Sequence, residues 1–275
     1  MKSNYRYIVK AFMAMAVIAG TTSCDDFLDR EPMSSISPET YYSTAAQLEA
    51  NLNDEYPNVL PSFGQWTYGI FGEDKGTDNQ IEVNANDRYT QDRWKVPHSE
   101  SDNWKFERIY RINFFLSEAL PKFGEDMSGS QNTISGSVAT IKHYIGEMYF
   151  LRAYEYFKKL QLFGDFPIIN QPLADEMEAL REASKRFPRN EVARFIISDL
   201  DKAYAYMSDV DMATTRINKD VAMLVKSRVA LFEATWLQNF KGTAFVPGGE
   251  GWPGVSLHNN YQYPSGNIDN EVKYF

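Results

Sequence analysis

The sequence predicts an all-α protein in which helical pairs stack as a tetratricopeptide-like α-α superhelix, interrupted by one long irregular loop. Three observations carry that expectation. Apolar residues recur every three to four positions in five separate stretches. Short polar links join neighbouring stretches, as expected of antiparallel pairs. One stretch is apolar on more than one side, the mark of an inner helix packed from two faces. The strict tetratricopeptide consensus is absent.

The first helix is expected to start at Ser37-Pro38, with Ser37 as N-cap and Pro38 at the first helical position. Ala45, Leu48 and Leu52 keep its period until Pro57. Residues 60–103 carry Gly64, Gly69, Gly72, Gly76 and Pro97 and no helical period. A loop of that length is functional or unstructured, and Phe63, Trp66, Tyr68, Phe71 and Trp94 argue for order. Asp102-Asn103 reads as the cap of a second helix that runs from Trp104 to Leu120. A Gly/Ser-rich link, 124–136, leads to a long helix over 137–163, stopped by the turn at Gly164-Asp165-Phe166-Pro167. Arg189-Asn190 opens a further helix, and 219–240 carries its partner. Residues 241–275 read as irregular, with no closing element. Within these elements Trp104, Tyr110 and Asn113 are assigned to helix packing. Arg152 is assigned a structural role, its planar fork suiting a buried carboxylate or a helix end, with Asp165 as candidate partner.

Composition bounds the chemistry. The 275 residues are 43% hydrophobic and 24% charged, which provides for a globular core. The formal charge of −9 argues against nucleic acid and anionic membrane surfaces as partners. Lys2, Arg6 and Lys10 precede the apolar run AFMAMAVIAG at 11–20, then the small residues Thr21-Thr22-Ser23 and the single cysteine, Cys24. This is the order of a secretory signal over residues 1–23, and its apolar run is too short to span a bilayer. Cysteine at the first mature position is what a lipid anchor requires, so Cys24 is the expected acylation site. Residues 24–36 read as a tether. With one cysteine there is no intramolecular disulfide.

Local motifs for catalysis or cofactors are weak. GEGWPG at 249–254 matches a dinucleotide fingerprint only in letters, because a helix precedes it and Pro253 opposes helix opening. Ser101-Asp102-Asn103 has no serine with a lysine three residues on to complete a β-lactamase set. His98, His143 and His258 are far apart, with no zinc spacing. Asp74, Asp78, Glu82, Asn84 and Asp87 lack the spacing of a calcium loop. The expectation is a binder with no catalytic residue, metal or cofactor.

With the helices placed, residues 146–160 (GEMYFLRAYEYFKKL) and 163–167 (FGDFP) resemble the central signature of the SusD/RagB family. Further elements follow in the same order: CDDFLD at 24–29 with Pro32, W-x₅-Y-x₂-N from Trp104 to Asn113, Pro188-Arg189 to Asp199-Leu200, and RVALFEA at 228–234. The resemblance implies a nutrient-capture lipoprotein of the Bacteroidetes surface, anchored to the outer membrane by lipid. Its implied ligand is most often a glycan, and its implied partner a TonB-dependent (SusC-like) outer-membrane transporter. It also makes 37–240 a helical SusD-like N-terminal domain. Family members run to roughly twice this length, so 241–275 is expected to be a truncated end. None of the family's ligand residues carries over. A glycan site wants aromatic faces beside amides, carboxylates or arginine, and the 60–103 loop offers Trp66, Tyr68, Asp78, Asn79, Arg88 and Trp94. An envelope protein-interaction module and a glycan-active enzyme are the alternatives.

Overall fold

The computed structural model describes residues 41–61, 80, 103–124, 126–207, 212 and 215–275. The chain divides into units Met1–Tyr41 and Tyr42–Phe275, and every element below lies in the second. Among the described residues there are seven α-helices: α1 Ala45–Val59, α2 Glu107–Phe123, α3 Val138–Phe163, α4 Met177–Ala183, α5 Arg189–Tyr206, α6 Lys219–Asn239 and α7 Ile268–Tyr274. A 3₁₀ turn spans Pro253–Ser256. Among these residues no strand forms; isolated bridges include Thr44–Ser135 and Phe166–Phe187. The fold is all-α, as the periodicity requires.

The long helix α3 is the centre. It packs against α1, α2 and α5, and α5 in turn packs against α6. Its unbroken run of buried residues from His143 to Ala153 covers every side of the helix, which explains why no single apolar stripe is visible in its sequence. Gly146 is where α3 and the end of α5 come closest. A Cβ there would lie 2.8 Å from the Met207 nitrogen and 2.9 Å from the Ala203 carbonyl oxygen.

Helix starts follow capping chemistry. Ser137 accepts the Thr140 N–H at 3.5 Å, and Asn218 accepts the Val221 N–H at 3.0 Å. Thr44 and Gln47 form a capping box: Thr44 Oγ1 accepts the Gln47 N–H, and Gln47 Oε1 accepts the Thr44 N–H. The cap that starts α1 is therefore Thr44; Ser37 lies outside the described residues. Pro57 falls inside the last turn of α1, which continues to Val59. The second helix begins later than its sequence suggests. Residues 104–106 stay non-helical, with the Trp104 and Phe106 rings 4.9 and 5.2 Å from that of Phe166.

Buried charge is matched across the layers. Arg152 grips Asp199 with Nε and Nη2 at 2.6 and 2.8 Å, so its partner is Asp199 and not Asp165. Its Nη1 also donates to Asn113 Oδ1 at 2.9 Å, and Asn113 Nδ2 donates to the Ile169 carbonyl. Glu147 accepts from Arg216 Nε and Nη2 and from Tyr56 Oη, tying α1, α3 and the 215–218 link together. Asn113 is thus a packing residue, as expected. Tyr110 is not: it is 51% exposed, stacked on Phe114.

Residues 241–275 are also more structured than the sequence suggests. Helix α7 packs on α6, and its buried Glu271 accepts two bonds from Arg194 at 2.6 and 2.8 Å and one from Asn190 at 3.0 Å. A periodic apolar pattern is missing because α7 is held mainly by polar bonds. The outer face of α6 keeps Leu224 and Leu231 exposed, at 71% and 66%.

Candidate functional site

Trp66, Tyr68, Asp78, Asn79, Arg88 and Trp94, together with Cys24, lie outside the described residues. Both ends of the 60–103 segment, however, are tied to α3 by consecutive lysines. Lys158 Nζ donates to the Val59 carbonyl, and Lys159 Nζ donates to the Asn103 carbonyl at 2.8 Å. The returning end then sets Trp104 edge-on to Phe163, the last residue of α3, with ring centroids 4.9 Å apart.

Phe163 is also a wall of a cleft of about 640 Å³. The cleft forms where the turn after α3 meets the start of α5, the end of α6 and the loops at 244–245 and 252–257. Aromatic faces come from Phe163, Trp236, Phe245 and Trp252; polar groups come from Gln161, Asp165, Ser184, Arg186, Arg189 and Ser256.

Asp165 is the keystone of this construction. Gly164, at φ +66°, turns the chain out of α3. Asp165 Oδ1 then accepts the Arg189 N–H at 2.9 Å, satisfying a donor at the first turn of α5. Its Oδ2 accepts the Trp252 indole N–H at 2.8 Å. Burial pushes the Asp165 carboxyl above its usual range, against these two bonds and the nearby arginines. Beside it, Arg189 forms a bidentate pair with buried Glu233, at 3.0 and 2.9 Å, and stacks 4.1 Å over the Trp236 ring. Burial likewise raises the Glu233 carboxyl, more than Arg189 lowers it. Both acids are internally satisfied, which makes them framework for the cleft.

The groups left to meet a ligand are different ones. Phe245 is 61% exposed, and its carbonyl accepts the Trp236 indole N–H at 3.0 Å, which orients the loop. Arg186 is exposed, and its guanidinium lies 4.6 Å over the Trp104 ring. Trp252 is buried by its contacts with His258 and Tyr261. Gly254 lets it sit there, since a Cβ at that position would fall 2.2 Å from the indole. The GEGWPG run is therefore an aromatic anchor. The sequence reading missed this cleft because its walls come from five separated segments. The one local signal was the FGDFP turn, whose aspartate had been given to Arg152.

Residues 26–231 match the model of a protein family described as SusD-like, starch-binding and associating with the outer membrane. The chain belongs to the SusD-like family. It is 24% identical over 269 residues to SusD-like protein P2 of Formosa agariphila, covering 94% of this chain and 49% of that one. It is 25% identical over 233 residues to SusD-like protein P25 of the same organism, covering 78% and 41%. The chain thus spans less than half the length of these relatives. Among solved structures, a SusD-like carbohydrate-binding protein of Bacteroides vulgatus aligns with a TM-score of 0.47 at 15% identity, over 84% of this chain and 50% of that one. A laminarin-binding SusD-like protein aligns with a TM-score of 0.38 at 20% identity, over 48% and 26%. No described helix of this SusD-like chain is long and apolar enough to cross a membrane.

Proposed function

We propose that this chain is a lipid-anchored outer-membrane protein that captures a glycan and delivers it to a TonB-dependent, SusC-like transporter, without cleaving it. The observation that carries the reading is the family match over residues 26–231. Two features support it. Cys24 follows the apolar run at 11–20, as an anchor through acyl chains requires. The cleft beside Asp165 pairs aromatic faces with hydrogen-bonding groups, the combination that a sugar's apolar faces and hydroxyls demand.

The ligand surface in this reading includes the cleft and the loop residues Trp66, Tyr68, Asp78, Asn79, Arg88 and Trp94. Anchoring of both loop ends to Lys158 and Lys159 supports their acting together. Isothermal titration against a panel of polysaccharides, with reducing-end assays alongside, tests the proposal. Binding without new reducing ends is the expected result. Cleavage would favour a glycan-active enzyme, and absence of any glycan binding would favour a protein-interaction module. Full affinity in a Trp66→Ala, Trp94→Ala double variant would remove the loop from the site, leaving the cleft.

A further inference from the structure

Arg186 gives the cleft a chemical preference that aromatic walls alone would not. Its guanidinium is stacked on Trp104 at 4.6 Å, and its carbonyl accepts from His258 Nε2 at 2.8 Å. Both ends of the residue are therefore held. Among the described residues no carboxylate forms an ion pair with it, whereas Arg189, three residues on, is fully engaged by Glu233. The nearest acid in the cleft, Asp165, already accepts the Arg189 N–H and the Trp252 indole N–H. A positioned guanidinium that feels Asp165 but forms no ion pair among the described residues, lining a cleft with an exposed phenyl face, is a receptor for a carboxylate carried on an apolar frame.

We propose that the cleft recognises an acidic sugar, a hexuronate unit. Its carboxylate takes the fork of Arg186, and one C–H face of its ring lies on Phe245. Ser184 and Ser256 add hydroxyl contacts. Their Oγ–H groups are directed to the carbonyls of Leu180 and Pro253, which leaves their lone pairs to accept sugar hydroxyls. The formal charge of −9 limits the ligand's size. Beyond a Debye length of about 8 Å at physiological ionic strength that charge is screened, but within it a dense polyanion is repelled. The fitting ligand is a short or sparsely charged acidic glycan.

This inference rests on the glycan-capture reading, and the experiment separates the two. The full chain is titrated calorimetrically with α-1,4-trigalacturonate and with α-1,4-galactotriose, which carries hydroxymethyl groups in place of the carboxylates. The expected result is a preference of roughly tenfold or more for trigalacturonate, the scale of one charge-assisted hydrogen-bonded contact. Arg186→Gln should abolish that preference, and Phe245→Ala should weaken both sugars. Arg186 is exposed, so circular dichroism of the variant should match the parent. Equal or tighter binding of galactotriose would overturn the acidic-sugar inference and leave glycan capture standing. A preference that survives Arg186→Gln would overturn it as well. Failure of both sugars and of every polysaccharide in the panel would overturn both readings.

Discussion

Arg152 of α3 and Asp199 of α5 form a two-bond ion pair that is closed off from solvent, at 2.6 and 2.8 Å, between the two helices with the most extensive mutual packing. The same guanidinium reaches Asn113 on α2 and the Asn170 carbonyl, at 2.9 and 3.1 Å. One side chain therefore holds three helices and the strap that follows α3. Removing one partner strands a buried charge, which costs about 3–5 kcal/mol. Asp199→Ala should lower the unfolding free energy by that amount in urea titrations, and the midpoint with it. Arg152→Met combined with Asp199→Leu should recover much of the loss, because no charge is then left unpaired. A double variant as unstable as the single one would show that the pair's geometry, and not charge matching, holds the layer.

Gly146→Ala should destabilise the protein although alanine is the better helix former by roughly 0.8–1 kcal/mol. The added methyl would meet backbone atoms of Met207 and Ala203 at 2.8 and 2.9 Å. Backbone cannot rotate away as a side chain can, so overpacking of about 1–3 kcal/mol should win. Differential scanning calorimetry should read a lower melting temperature; a higher one would mean that α5 shifts freely.

Acid should loosen the C-terminal segment before the rest of the molecule. Burial raises the Glu271 carboxyl, but bonds from Arg194, Asn190 and the Ser265 N–H outweigh it and leave the group below its usual range. A carboxylate whose folded pKa is depressed contributes stability above its unfolded pKa, near 4.3. That stability is lost as pH falls through the folded value. Hydrogen exchange read by mass spectrometry, corrected for intrinsic rates, should show 262–275 losing protection below about pH 4. Glu271→Gln should already expose the segment at neutral pH and remove most of its acid dependence.

Cys24→Ala should release the protein from the membrane fraction, and the parent should incorporate a clickable fatty acid. An unlabelled parent protein would count against the anchor.

How much of this was legible beforehand differs by element. Helix α3 could be read within a residue of its ends, because Ser137 caps it, Gly164 stops it and the apolar pattern between them is continuous. Helices α5 and α6 were legible from their apolar periodicity, without a glycine stop. The helix expected to run on from Ser37-Pro38 is not continuous through 42–44, because Thr44 and Gln47 form a capping box that starts α1 at Ala45; Ser37-Pro38 itself lies outside the described residues. Helix α7 was missed, because its decisive residue is Glu271, and a buried glutamate looks like a surface residue until Arg194 and Asn190 are seen around it.

By itself, the sequence determined the all-α class, the helical register of the core and the family resemblance. Each depends on spacing along the chain, which local sterics and apolar periodicity translate directly into a helix face. Only the tertiary structure decided which charges meet: Arg152 with Asp199, Arg189 with Glu233, Arg194 with Glu271. It also decided that Asp165 joins the start of α5 to Trp252, and so builds a cleft from segments up to 87 residues apart. Ion pairing and cleft formation depend on distance in space, and a linear chain offers many carboxylates for each guanidinium. Packing of α3 against its three neighbours is what selects among them.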